Sequence, residues 1–247
     1  MVLWFEHDLY DQLQLLDALT LAHTAEAAPE LIVVRSFPGK PSFAGLGELT
    51  ANELETLWPI REAAAAATLE AAAHAWAAFE ASQPTALADW ATRDTAQLPF
   101  LAPALKRLLE ELPAPADGLS GTERRALQAI DGGATTPPAA FVAAQRLEAA
   151  PFLGDAWFYR TLSAIGQTEQ RLVETDEGAP LPPPPPLSDS RQFARLRLRL
   201  TATGERALGG SADRVELLGI DRWIGGTHVT PENVWRWDAR RLKLVEP

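Results

Sequence analysis

Two short apolar runs bracket a helical repeat at the start of this chain, and that arrangement narrows its fold more than any other feature. Val2-Leu3-Trp4-Phe5 and Leu31-Ile32-Val33-Val34 each have the length of a buried strand. Between them Leu9, Leu13, Leu16 and Leu19 recur at helical spacing, with Asp8 placed as an N-cap and Asp11 in the first turn. Strand, helix, strand predicts a βαβ unit, because parallel strands need a crossover of about a dozen residues or more. Two strands do not make a stable sheet. Further strands are expected from elsewhere in the chain, from a partner, or from sequence ahead of Met1.

Beyond a Pro- and Gly-containing loop over 35–48, Thr50 and Glu53 form a capping box that opens a helix over 51–58. An Ala-rich helix over 61–81 and shorter helices over 85–92 and 103–111 follow. Leu112 to Gly118, with Pro113 and Pro115, is the expected domain boundary. A second capping box, Ser120 with Glu123, starts a helix to Ile130; two more run from Pro137 or Pro138 to Ala149 and from Asp155 to Ile165. A strand over Arg171–Thr175, a polyproline II spacer over Pro182–Pro186, and strict Arg/Leu alternation over 193–200 come next. Three helices followed by a hairpin is the order of a winged helix-turn-helix, with the proline run at the wing tip. The tail offers strands near 227–229 and 233–237. The expected class is mixed α+β. A partial α/β unit with a helical segment covers 1–112, a winged-helix-like domain covers 118–210, and an aromatic-rich β tail over 211–247 packs on one of the two.

Composition excludes several classes. Net charge is −11 over 247 residues, and all the excess sits in residues 1–117, with 6 Lys+Arg against 17 Asp+Glu; residues 118–247 balance at 16 and 16. The first part therefore repels nucleic acid and acidic membranes, while the second has room for a local basic face. With no cysteine, disulfides, thiol catalysis and cysteine-ligated metals are excluded. No apolar stretch approaches the roughly 18 residues of a spanning helix, and no signal peptide is read. A cytoplasmic location is expected.

Three stretches carry a resemblance: Val2–Leu19 (VLWFEHDLYDQLQLLDAL), Leu98–Glu123 (LPFLAPALKRLLEELP, then DGLSGTE) and Gly219–Asp238 (GIDRWIGGTHV, then WRWD). Together they resemble bacterial proteins of domain-of-unknown-function family 1835. The resemblance spans almost the whole chain and implies no activity. It also implies a further strand and helix ahead of the WFEHD-like segment, which would supply strands to the sheet.

Glu6-His7-Asp8 with Asp11 lies at the carboxyl end of a parallel strand, where open α/β sheets bind ligands. Such a group suits a divalent metal, Mg²⁺ or Mn²⁺, or acid–base work; its commoner role is an N-cap and an acidic first turn. No dinucleotide fingerprint, P-loop, G-x-S-x-G or H-E-x-x-H is present. Arg195, Arg197 and Arg199 share one strand face, about 6.5 Å apart, and suit a phosphate backbone or a solvated outer face. The recognition-helix candidate adds only Arg160, beside Trp157, Phe158 and Tyr159. Asp221, Arg222, Trp223, His228, Trp235 and Trp237 form either a stiff structural cluster or a ligand pocket. The expected role is a non-catalytic regulatory or interaction protein that contacts protein or nucleic acid. The alternative is an α/β ligand-binding protein or metal-assisted enzyme. No cofactor is called beyond that divalent metal, and the residues do not set the oligomeric state.

Overall fold

The computed structural model describes residues 1–41, 43, 45–184, 186 and 190–247. The fold is mixed α+β, with helices outnumbering short strands in small sheets of two or three. It divides into two compact units, residues 1–108 with 225–227, and residues 109–224 with 228–247. No described helix is long and apolar enough to cross a membrane.

In the first unit β1 (Val2–Glu6), α1 (Leu9–Thr24) and β2 (Glu30–Val34) form the βαβ unit. The strands are parallel, with Leu3 opposite Leu31 and Phe5 opposite Val33. After α2 (Ala51–Leu57) and a 3-10 turn at Trp58–Ile60, the chain adds β3 (Glu62–Ala63) antiparallel to β2. The helices α3 (Ala66–Glu80), α4 (Thr85–Thr92) and α5 (Leu101–Leu109) follow. The third strand thus comes from residues whose alanines predict helix. Pairing with β2, reinforced by the Ala64 N–H donating to the Pro29 carbonyl at 2.9 Å, overrides that local preference. Helix α3 starts at Ala66 instead, and its buried Ala72 and Ala75 let it pack closely on α1.

The second unit opens with α6 (Gly121–Asp131), α7 (Pro137–Gln145) and α8 (Asp155–Gly166). Then come β4 (Val173–Thr175), α9 (Arg191–Ala194), β5 (Leu198–Leu200), α10 (Ala202–Leu208) and α11 (Arg214–Leu218). Two hairpins follow along the chain: β6 (Arg222–Ile224) with β7 (Thr227–Val229), of which Thr227 groups with the first unit, and β8 (Arg236–Asp238) with β9 (Lys243–Val245). Strands β4 and β5 pair antiparallel, with Glu174 opposite Arg199. The Leu198 N–H donates to the Thr135 carbonyl at 2.9 Å, which brings the extended turn between α6 and α7 to the pair. Leu127, Phe158, Leu162, Ile165, Val173 and Leu198 fill the core beneath. Each large apolar side chain there contributes about 1.5–3 kcal/mol on burial.

Three local expectations change. Residues 191–194 are helical, so the strand over 193–200 shrinks to Leu198–Leu200. The reason is Phe193, which is buried with its ring 5.4 Å from Tyr159. The alternation in burial survives: Leu196 and Leu198 face inward while Arg195, Arg197 and Arg199 stay exposed. The proline run does not begin at a free wing tip. Leu181 is buried and its N–H donates to the Gly166 carbonyl at 2.8 Å, while the Pro182 carbonyl accepts from the Ser163 hydroxyl at 2.7 Å; Pro185 lies outside the described residues. Finally, Leu112, Pro113 and Asp117–Ser120 are buried inside the second unit, and the chain divides after Leu108. The turn at Gly118 needs the left-handed region, φ +69°. A Cβ there would run into the Asp213 carboxylate and lie 2.9 Å from the Val215 nitrogen. Gly118→Ala is therefore expected to cost the second unit about 2 kcal/mol or more, read as a lower urea midpoint. An unchanged midpoint would contradict the placement.

Candidate functional site

At the carboxyl end of β1, Glu6, Asp8 and Asp11 each bring a carboxylate oxygen within 4.8 Å of the others. The local geometry explains how. Asp8 Oδ1 accepts from the Asp11 N–H at 3.1 Å and caps α1. Asp11 Oδ1 accepts from the Glu6 N–H at 2.9 Å, and Gln12 Nε2 donates to the Glu6 carbonyl at 2.7 Å, so the first turn of α1 closes the end of the strand. Glu6 Oε1 accepts from the Leu46 N–H at 2.6 Å. Gly45, at φ +151°, leaves room for the Glu6 carboxylate, which a Cβ would strike. His7 does not join the three; it is half-buried, with its ring 5.9 Å edge-on to Phe100.

Burial pushes Glu6 above its ordinary pKa, the Leu46 N–H opposes this, and Asp11, Asp8 and Glu48 add to the rise. Burial likewise raises Asp8, against the pull of its hydrogen bond to Asp11. Burial lowers His7, aided by Arg35 and opposed by Asp8 and Asp11. Each carboxylate accepts from backbone N–H: Glu6 from Leu46, Asp11 from Glu6, and Asp8 from Asp11 and Tyr10. Three oxygens at that separation suit a shared proton or a hard cation such as Mg²⁺ or Mn²⁺.

On α8, Phe158 and Tyr159 are core residues, whereas Trp157 is 53% exposed with Arg160 stacked 5.5 Å over its ring. Trp157, Arg160, Thr161 and Ala164 fall on one helical stripe. That stripe borders a groove of about 550 Å³, whose walls include Glu111, Asp221 and Arg222. Arg195, Arg197 and Arg199 differ among themselves. Arg199 is held by Glu174 at 2.9 Å, and Glu174 also binds Arg171 at 3.1 Å. Arg195 and Arg197 are exposed and join no ion pair among the described residues.

The tail residues separate into two places. Trp223 is 65% exposed and stacks flat on His228, with rings 4.4 Å apart at 3°; Asp221 meets His228 Nε2 at 2.7 Å. Trp235 and Trp237 are buried, and among the described residues neither indole N–H finds an acceptor. Arg222 goes elsewhere, to Glu123 at 2.8 Å.

That last contact exposes a buried group that local sequence reading assigns only to a capping box. Glu123 Oε2 does accept from the Ser120 N–H at 2.9 Å, as the box requires. Its other oxygen takes Arg214 at 3.0 Å and Arg222, and Glu123 is 1% exposed. Burial alone pushes Glu123 up, but the Arg222 and Arg214 charges together hold it below its ordinary value. The only local signal is a capping-box glutamate. Its partners stand far along the chain, where periodicity does not reach.

Because Asp8 is raised, the folded chain carries an electrostatic cost at neutral pH that fades as pH falls through the raised pKa. Asp8→Asn keeps an N-cap acceptor while removing one charge from the three. The variant is expected to melt higher than the parent at pH 7, with the gain shrinking in mild acid. A lower melting temperature at pH 7 would contradict that cost.

Comparison of the chain with protein-family models, with curated proteins and with solved structures finds no match.

Proposed function

We propose that this is a non-catalytic interaction protein whose second unit is a winged-helix-like module that contacts a protein partner through α8. Helix order, the β4–β5 pair and the Leu198-to-Thr135 bond support the winged-helix reading. The observation that carries the choice of partner is the outward stripe of α8. It presents one exposed indole and one guanidinium beside Glu111 and Asp221. A base-reading helix presents Arg, Asn or Gln to the groove. An aromatic with a stacked arginine is instead the composition of a protein–protein anchor. Arg199 is engaged by Glu174, a carboxylate it shares with Arg171, which weakens the wing as a phosphate track. The resemblance to domain-of-unknown-function family 1835 fits such a role without naming a partner, and the absence of cysteine fits a cytoplasmic setting.

A second reading rests on the Glu6, Asp8 and Asp11 oxygens, with a divalent cation at the end of β1. The Asp8→Asn melting comparison, made with and without added Mg²⁺, tests this reading.

The interaction reading is tested with a photo-cross-linking residue at position 164, at the end of the α8 stripe. A discrete protein adduct is expected in cells of the source organism, lost on Trp157→Ala. In parallel, a mixed pool of labelled duplex DNA is expected to give no salt-sensitive anisotropy change. Binding that weakens with a log–log salt slope of about −2 to −3, and that Arg195, Arg197 and Arg199 substituted by Ala abolish, would overturn the protein reading in favour of nucleic acid.

A further inference from the structure

From the groove on the outward side of α6 we infer a small-molecule site, for a flat, neutral molecule bearing a carbonyl acceptor. The groove is about 330 Å³, within the size range of small-ligand pockets, and belongs wholly to the second unit. Its apolar walls are Leu119, Leu147 and Trp237, and its polar edge is Arg124, Arg125 and Gln128. The sequence makes this face. Positions 121, 124, 125 and 128 form one helical stripe, while Ala126, Leu127 and Ile130 turn to the core.

Three features point to a ligand and to its class. Trp237 is 2% exposed and gives the groove an indole wall, while its N–H is sealed from the groove and is not one of its donors. Arg124 binds Asp117 through Nη2, at 2.6 and 2.7 Å, and Arg125 reaches Glu110 through Nη2 and Glu148 through Nε. Each arginine therefore keeps an Nη1 with no acceptor among the described residues, held in place by carboxylates behind it. Those carboxylates also balance the charge, and Glu110 itself lines the groove. The site is thus rich in N–H donors without being cationic. An anion would meet Glu110, whereas a neutral carbonyl takes the donors without that repulsion. The indole and leucine walls suit a planar ring.

Nicotinamide and nicotinate are matched probes, alike in ring and differing in charge. The readout is the indole N–H region of a ¹H–¹⁵N spectrum of the full chain, which holds eight tryptophans. Trp237→Phe identifies the Trp237 signal. Nicotinamide is expected to move that signal saturably in the millimolar range, nicotinate at least about threefold more weakly, and Leu147→Trp to weaken nicotinamide about tenfold. Leu147 is 49% exposed, so this second variant fills the rim without disturbing the core. A Trp237 signal unmoved by either probe, or moved equally in Leu147→Trp, would overturn the site. Tighter binding of nicotinate would overturn the neutral class.

Discussion

The second unit is organised around one buried carboxylate. Glu123 closes the N-terminal turn of α6 on Ser120 and simultaneously binds Arg214 and Arg222, 91 and 99 residues later. A carboxylate at 1% exposure is tolerated only when its lost hydration is replaced, and two guanidinium groups with a backbone N–H replace it. The bonds around it spread the constraint. The Arg214 guanidinium donates to the Gly219 carbonyl, and its backbone N–H donates to the Asp117 carbonyl at 2.7 Å. Asp213, the cap of α11, pairs with Arg236 at 2.8 Å, which in turn reaches the Ala114 carbonyl. The Trp237 backbone N–H donates to the Pro113 carbonyl. Residues 113–123 and the tail are thus one hydrogen-bonded body. The Pro-rich segment, which looks like a linker by composition, is its centre.

This arrangement sets what the surface can offer. Arg222 is spent on Glu123, so the groove beside α8 keeps Arg160 as its cation against Glu111 and Asp221. On the far stripe of α6, the carboxylates that hold Arg124 and Arg125 leave donors without net charge. Neither surface has the surplus positive charge on which non-specific nucleic-acid binding depends. The clamp therefore links the fold to the proposed role: it orders the tail and in doing so engages Arg214 and Arg222, which composition alone would leave free.

How much of this the sequence disclosed depended on the range of the interactions involved. The βαβ unit was legible because its apolar runs and helical spacing are local, and both capping boxes were legible for the same reason. Residues 62–63 were not, since alanine favours helix and only the free edge of β2 makes them a strand. The alternation at 193–200 gave the correct faces but not the backbone, because Phe193 turns helical to reach Tyr159. At the candidate site, Glu6, Asp8 and Asp11 were grouped by sequence proximity, and the structure groups them too; His7 leaves for Phe100. In the tail, six residues read as one cluster separate into an exposed Trp223–His228–Asp221 stack, two buried tryptophans and an arginine bound to Glu123. Such long-range partners leave no periodic trace.

The clamp is best tested by native-state hydrogen exchange on Glu123→Gln, read at the Trp237 amide and along α6. Glutamine keeps the shape and the cap acceptor but leaves two guanidinium groups without their charge partner, a loss of about 3–5 kcal/mol for a buried pair. Because Glu123 titrates below its ordinary value, its contribution is present above the ordinary carboxylate range and is lost as pH falls through the lowered one. At neutral pH the variant is expected to lose protection at Trp237 and along α6 together, by about that free energy, and the parent to follow it in acid. Parent-like protection at the Trp237 amide in Glu123→Gln at neutral pH would contradict the central role of the carboxylate.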